Sequence, residues 1–135
     1  MTVLYVEDVQ RLHRFVTDAL DKLGVQYVIA QDVESSLRLI EEEKYRFDFA
    51  IVDWGLPNMG EGLGIIKAIR GKIPGTRIVV PTSNPASTIL NILIKQNINT
   101  EGIIVCGKFD VGNYLPDVIE AVKQDNATKS SPESQ

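Results

Sequence analysis

Five polar side chains in this 135-residue chain stand where they could do chemistry together. Glu7 and Asp8 close the apolar run Val3-Leu4-Tyr5-Val6, and Asp53 closes Phe49-Ala50-Ile51-Val52. Thr82 follows Ile78-Val79-Val80-Pro81, and Lys108 comes shortly after Ile103-Ile104-Val105. Carboxylates gathered at one place repel and raise one another's pKa values, so three of them need a cation. A hard divalent ion fits such a set, and Mg²⁺ accepts a few carboxylates while keeping positions for water and phosphate. An aspartate beside that ion is a nucleophile toward phosphorus. Lys108 would then pair with a phosphoryl oxygen as a compact charge, and Thr82 would hydrogen-bond another.

The elements that must carry these groups are legible as an alternation. Apolar runs at residues 3–6, 27–30, 49–52, 78–80 and 103–105 are continuous rather than alternating, as in strands covered on both faces. Amphipathic segments lie between them. In the first, Leu12, Phe15, Val16, Ala19, Leu20 and Leu23 make one helical face that Gly24 stops. Others are expected over residues 33–44, 63–70 and 86–96, and a last one from near Pro116, a residue suited to a first helical turn. The pattern is (βα)₅: an α/β fold, a doubly wound parallel sheet with right-handed crossovers. In open sheets of this kind, functional groups gather outside the carboxyl ends of the strands, which is where all five side chains fall.

Composition excludes several classes. The length implies one domain, expected over residues 1–123, with 124–135 a disordered tail or the start of a linker because QDNATKSSPESQ has no apolar residue larger than alanine. A net charge of −4 argues against nucleic acid and anionic membranes as partners. No apolar run is long enough to cross a bilayer, and the N-terminus has no basic, apolar leader. The single cysteine, Cys106, rules out an internal disulfide framework and fits a reducing compartment, so the cytoplasm is the expected location.

With these residues in place, the chain resembles the receiver domain of two-component response regulators, on the motifs VLYVED, AIVDWGLPNM and VVPTS and the later Lys108. The resemblance implies a flavodoxin-like sheet of order 2-1-3-4-5. It implies Asp53 as phosphoacceptor, and Glu7, Asp8, Asp53 and the Gly55 carbonyl around Mg²⁺. Thr82 becomes the switch hydroxyl, with Ser83 in its place if the register moves by one, and Lys108 the phosphate-pairing lysine. The implied donor is a sensor histidine kinase or phosphotransfer protein. The implied output is an effector docking on the face of the fourth strand with the fourth and fifth helices. Such a protein is not an enzyme in the usual sense, but it assists its own phosphorylation and dephosphorylation.

The sequence departs from that family in the length of NMGEGLG, a residue longer than usual before the third helix, and at three further places. Phe109 stands where the family has proline after the lysine, and a non-proline cis bond costs roughly 2.5–4 kcal/mol, so a trans bond is expected, with Gly107 supplying unusual backbone. Strand 5 has Ile104, Val105 and Cys106 where an aromatic is usual, and Pro81 and Pro85 bracket the Thr82 loop.

Each residue also has a plainer reading. Asp8 could be a helix N-cap, Asp53 a turn residue, and Thr82 and Lys108 ordinary surface groups. Beside the apolar face of the first helix, His13 reads as solvated. Cys106 reads as a small core hydrophobe, and Trp54 as covering the pocket mouth or a sheet edge. Three functions compete: a phosphorylated receiver; a pseudo-receiver that binds partners without phosphate; and an enzyme of related topology. The last is poorly supported. A haloacid-dehalogenase-type phosphatase wants aspartate where Gly55 stands, and a flavodoxin-type phosphate loop would not carry Glu7-Asp8.

Overall fold

The structure, a computed structural model, describes residues 1–8, 10–42, 46–55 and 59–130. Strands and helices alternate through them: β1 (Thr2–Val6), α1 (Gln10–Lys22), β2 (Gln26–Ala30), α2 (Val33–Glu41), β3 (Phe49–Val52), α3 (Met59–Lys72), β4 (Arg77–Thr82), α4 (Ala86–Lys95), β5 (Ile103–Gly107) and α5 (Val111–Ser130). All neighbouring strands are parallel, in the order β2-β1-β3-β4-β5. The flavodoxin-like arrangement expected from the sequence is therefore present.

Because side chains alternate across a strand, each buried run feeds two cores. Val3, Tyr5, Phe49, Ile51 and Val79 face α1 and α5, meeting Val16, Leu20, Leu115 and Val118. Leu4, Val6, Ala50, Val52, Ile78 and Val80 face the other way, against Ile40 of α2, Ile65, Ile66 and Ile69 of α3, and Ile89 and Leu93 of α4. Both faces of the central strands are thus dry, which is why their sequences carry Thr and charged residues only at their ends. The first polar residues after β1 and β3 emerge together at the carboxyl edge.

As expected from the sequence, β4 ends at Thr82; it continues through Pro81, and these two residues pair with Cys106 and Gly107 of β5. Proline removes one donor, but its carbonyl still accepts from the Trp54 N–H at 3.1 Å, so the loss falls at the end of the β3 ladder. Helix α5 begins at Val111, with Pro116 inside it rather than in its first turn. The stripe Val111, Leu115, Val118, Ile119 and Val122 is buried as one face, and its burial outweighs the missing donor of Pro116.

That helix also runs past Lys123 to Ser130, over residues expected as tail. Arg77 Nε donates to Asp125 Oδ2 at 2.9 Å, and Asn126 Nδ2 reaches Asp48 Oδ1 at 3.5 Å, so side-chain bonds dock the extension where apolar burial ends. Phe15 and Ile94, placed inward by periodicity, are 61% and 58% exposed. Among the described residues no helix is long and apolar enough to cross a membrane. The Leu56-Pro57-Asn58 part of the AIVDWGLPNM motif, the end of the acidic run (Glu43 and Lys44) and residues 131–135 lie outside the described residues.

Candidate phosphoacceptor site

The ends of β1 and β3 are pinned before their acids emerge. Glu7 N–H donates to Ala30 O at 3.0 Å, extending β1 along β2, and Asp53 N–H donates to Val6 O at 3.0 Å, extending β3 along β1. Backbone bonds on both sides of β1 thus bring Glu7, Asp8 and Asp53 to one corner. One carboxylate oxygen from each lies within 4.8 Å of those from the other two. Glu7 and Asp53 are buried, and Asp8 is half-buried.

Asp53 has no exposed surface. Its Oδ1 accepts the Gly55 N–H at 3.0 Å, while its Oδ2 makes no hydrogen bond; neither does Asp8 Oδ1. Buried carboxylate oxygens are ordinarily satisfied, so this pair marks a place for a ligand. Lys108 Nζ lies 3.8 Å from Asp53 Oδ2, close enough to attract it and too far to hydrogen-bond. Three carboxylates and one ammonium sum to a formal charge of −2, which suits a divalent cation with hard oxygen ligands. Two like charges at about 5 Å repel by about 3 kcal/mol at an effective dielectric near 20, so the corner is costly without a counter-ion.

Small residues shape the space around Asp53. A Cβ on Gly55 would fall 2.9 Å from Lys108 Nζ, so the absence of a side chain lets the ammonium lie across this residue. A Cβ on Gly62 would fall 3.1 Å from the Asp53 carbonyl oxygen and 3.3 Å from Trp54 Cα, so Gly62 lets α3 close on the end of β3. Tyr5, buried one position before Val6, has its hydroxyl pKa raised by burial and then by the charges of Glu7 and Asp53. It stays a neutral floor under the acids.

The remaining expected residues are placed as follows. Thr82 is buried at the end of β4, and its Oγ1 accepts from Asn84 N–H at 3.0 Å, capping the turn into α4. Ser83 is exposed. Among the described residues no peptide bond is cis, and Gly107 does not have positive φ. Instead, Gly107 leaves room for the Asp110 carboxylate: a Cβ there would lie 2.5 Å from Asp110 Oδ2. The Phe109 ring packs edge-on against Phe15 of α1, centroids 5.5 Å apart.

Three placements were not foreseen. Trp54 is buried among Ile65 and Ile66 in the core, neither at the pocket mouth nor at a sheet edge. His13 is not solvated: it is half-buried, its Nε2 is 2.8 Å from Glu7 O, and its ring stands edge-on to Tyr5. Gly62 gave no signal beyond a glycine inside a helical stretch, where glycine normally costs stability and so hints at close packing.

The sequence model of the family described as "Response regulator receiver domain" matches residues 3–105. The chain belongs to that family. Solved receiver folds superpose on it closely, although at low identity. The Vibrio cholerae chemotaxis protein CheY4 aligns with a TM-score of 0.72 and 23% identity, over 90% of this chain and 97% of that one. A CheY-like receiver domain protein from Methanospirillum hungatei JF-1 gives 0.71 and 19%, over 92% and 97%. The receiver domain of the sensor histidine kinase PA1611 from Pseudomonas aeruginosa PAO1, solved with magnesium coordinated in its active-site cleft, gives 0.69 and 20%, over 89% and 94%.

Proposed function

We propose that this receiver domain takes a phosphoryl group onto Asp53 from a phosphohistidine of a sensor kinase or phosphotransfer protein in the cytoplasm, and that the modified form changes its affinity for an effector. The observation that carries the reading is the convergence of Glu7, Asp8 and Asp53, with a fully buried Asp53 oxygen that has no hydrogen-bond donor and faces an ammonium.

Glu7, Asp8 and Asp53, with the Gly55 carbonyl, would hold Mg²⁺. Bound there, the ion would neutralise charge on the incoming phosphoryl oxygens. In the transfer, an Asp53 carboxylate oxygen forms the bond to phosphorus as the donor's P–N bond breaks. The electron pair leaves with the imidazole nitrogen, which takes a proton from solvent. The Gly55 N–H on Oδ1 fixes the rotation of the carboxylate, so the nucleophile is oriented before the donor arrives. Lys108 already sits beside the Asp53 carboxylate and pairs with a phosphoryl oxygen after transfer.

Thr82 carries the change outward. Its hydroxyl oxygen accepts from the Asn84 N–H, and donating its hydrogen to a phosphoryl oxygen would draw Thr82 toward Asp53 and pull on the turn into α4. Thr82, Asn84, Val105 and Tyr114 border an open hollow between α4, β5 and α5, the face proposed for effector docking. The rings lining this hollow are Tyr114 of α5 and Phe109 of the loop before it, since β5 supplies none.

The test is intact-mass measurement after incubation with phosphoramidate, whose P–N bond matches that of phosphohistidine. Wild type with Mg²⁺ gains one phosphoryl mass; wild type with a chelator and Asp53→Asn gain none. No gain in wild type would overturn the proposal and leave a binding module that works without phosphate.

A further inference from the structure

His13 of α1 touches the pocket from a side that the transfer chemistry does not use. Its Nε2 lies 2.8 Å from the backbone oxygen of Glu7. A carbonyl oxygen only accepts, so Nε2 carries the hydrogen in this contact. The imidazole is held in turn by the Tyr5 ring, centroids 5.5 Å apart and planes at 65°. Tyr5 is 1% exposed and belongs to the core between the sheet, α1 and α5, so it is a fixed support.

Glu7 is where the chain leaves β1. On its strand side, its N–H is fixed by Ala30 O at 3.0 Å. On its outgoing side, the carbonyl belongs to the peptide that links Glu7 to Asp8, and His13 is the side chain that grips it. Rotation of that peptide would swing Asp8 relative to Glu7. The acid cluster closes within 4.8 Å only while both residues keep their present directions. Without a counter-ion, repulsion among the carboxylates drives that swing.

We infer that His13 is a positioning residue for the acidic pocket: its hydrogen bond to the Glu7–Asp8 peptide fixes the direction of both carboxylates and thereby sets the affinity for a divalent cation. The inference rests on the reading of Glu7, Asp8 and Asp53 as metal ligands. It assigns His13 no contact with ion or phosphate. The role requires an N–H at this point, not an aromatic ring, and the two can be separated. Glutamine places its amide Nε2 at about the same reach as the histidine Nε2 but has no ring. Phenylalanine keeps the edge contact with Tyr5 but has no donor.

Mg²⁺ affinity of the full chain, measured by calorimetry, decides between them, with thermal melts in chelator to confirm that each variant is folded. His13→Phe is expected to weaken Mg²⁺ binding by about tenfold, the size of effect that supporting groups behind metal ligands have, while His13→Gln stays within about twofold of wild type. His13→Leu takes the place of His13→Phe if the phenyl variant does not fold. Wild-type affinity in the donorless variant would overturn the inference, and so would equal weakening in both variants, which would make the ring the important part. Wild type failing to bind Mg²⁺ at all would instead overturn the metal-site reading beneath it.

Discussion

Lys108 Nζ lies 3.8 Å from Asp53 Oδ2, although Phe109 rather than proline follows the lysine and no cis bond bends the chain there. The lysine reaches its partner over Gly55, where any side chain would stand in the way, and its loop leans on α1 through the Phe109–Phe15 contact. Position in the fold, more than the local motif, brings the charge to the acid.

That geometry makes Gly55 informative. Gly55→Leu is expected to displace the ammonium and slow phosphoryl uptake several-fold. The obstructed atom is the tip of a flexible side chain, so stability should change by less than about 0.5 kcal/mol, as for most surface substitutions. Uptake kinetics with phosphoramidate, beside a urea titration, check both halves. The same side chain should lengthen the life of the aspartyl phosphate by shielding it from water, read as the decay rate after the donor is removed.

Repulsion among the acids gives a second prediction. In chelator, Asp53→Asn removes one buried charge from the cluster and should stabilise the protein by about 2 kcal/mol: two like-charge pairs at this spacing, about 3 kcal/mol each, less about 4 kcal/mol of lost attraction to Lys108. With saturating Mg²⁺ the wild type should recover that difference, because ligand binding stabilises the folded state. Paired melts with and without Mg²⁺ test it.

At the opposite end of the sheet, the Arg77–Asp125 pair docks the extension of α5. Its side chains are 30% and 43% exposed, so Asp125→Ala should cost only about 0.2–1 kcal/mol in a urea titration. Mg²⁺ affinity should not move, since the pair lies at the amino edge of the strands.

Cys106 predicts an alkaline response. Burial, followed by the charge of Asp110, pushes the thiol from an ordinary value of 9.0 up to about 11. Between those values the unfolded chain gives up the proton first and the folded chain keeps it, so stability is full below pH 9 and falls as pH rises toward 11. Cys106→Ala should flatten that part of the profile. At neutral pH the wild-type thiol should react with a disulfide reagent only after denaturation.

Much of this was legible in the chain, and the exceptions have physical causes. Strands covered on both faces write themselves as unbroken apolar runs, so the five strands and the acids that end them could be read directly. Pro116 misled the start of α5 because a proline is cheapest in a first turn; the stripe from Val111 through Val122 was the better signal, since burial of a whole face outweighs one missing donor. Phe15 has the period of the buried face yet lies at its margin, and periodicity alone does not say how wide the face is. His13 and Gly62 act on backbone atoms, an oxygen of Glu7 and the main chain of Asp53 and Trp54, and contacts to backbone leave no pattern in side-chain types. Thr82, Lys108 and the acids were recognisable because they sit at strand ends, whose positions the runs define.

Phosphoryl transfer as proposed requires a carboxylate oxygen of Asp53 to be the acceptor. Borohydride reduces an aspartyl phosphate to homoserine, so peptide mapping of the reduced, phosphorylated protein locates the modification directly. Homoserine is expected at position 53 and at no other position, dependent on Mg²⁺. Homoserine at position 8 or any other acid, or none at all after a confirmed gain of phosphoryl mass, would contradict it.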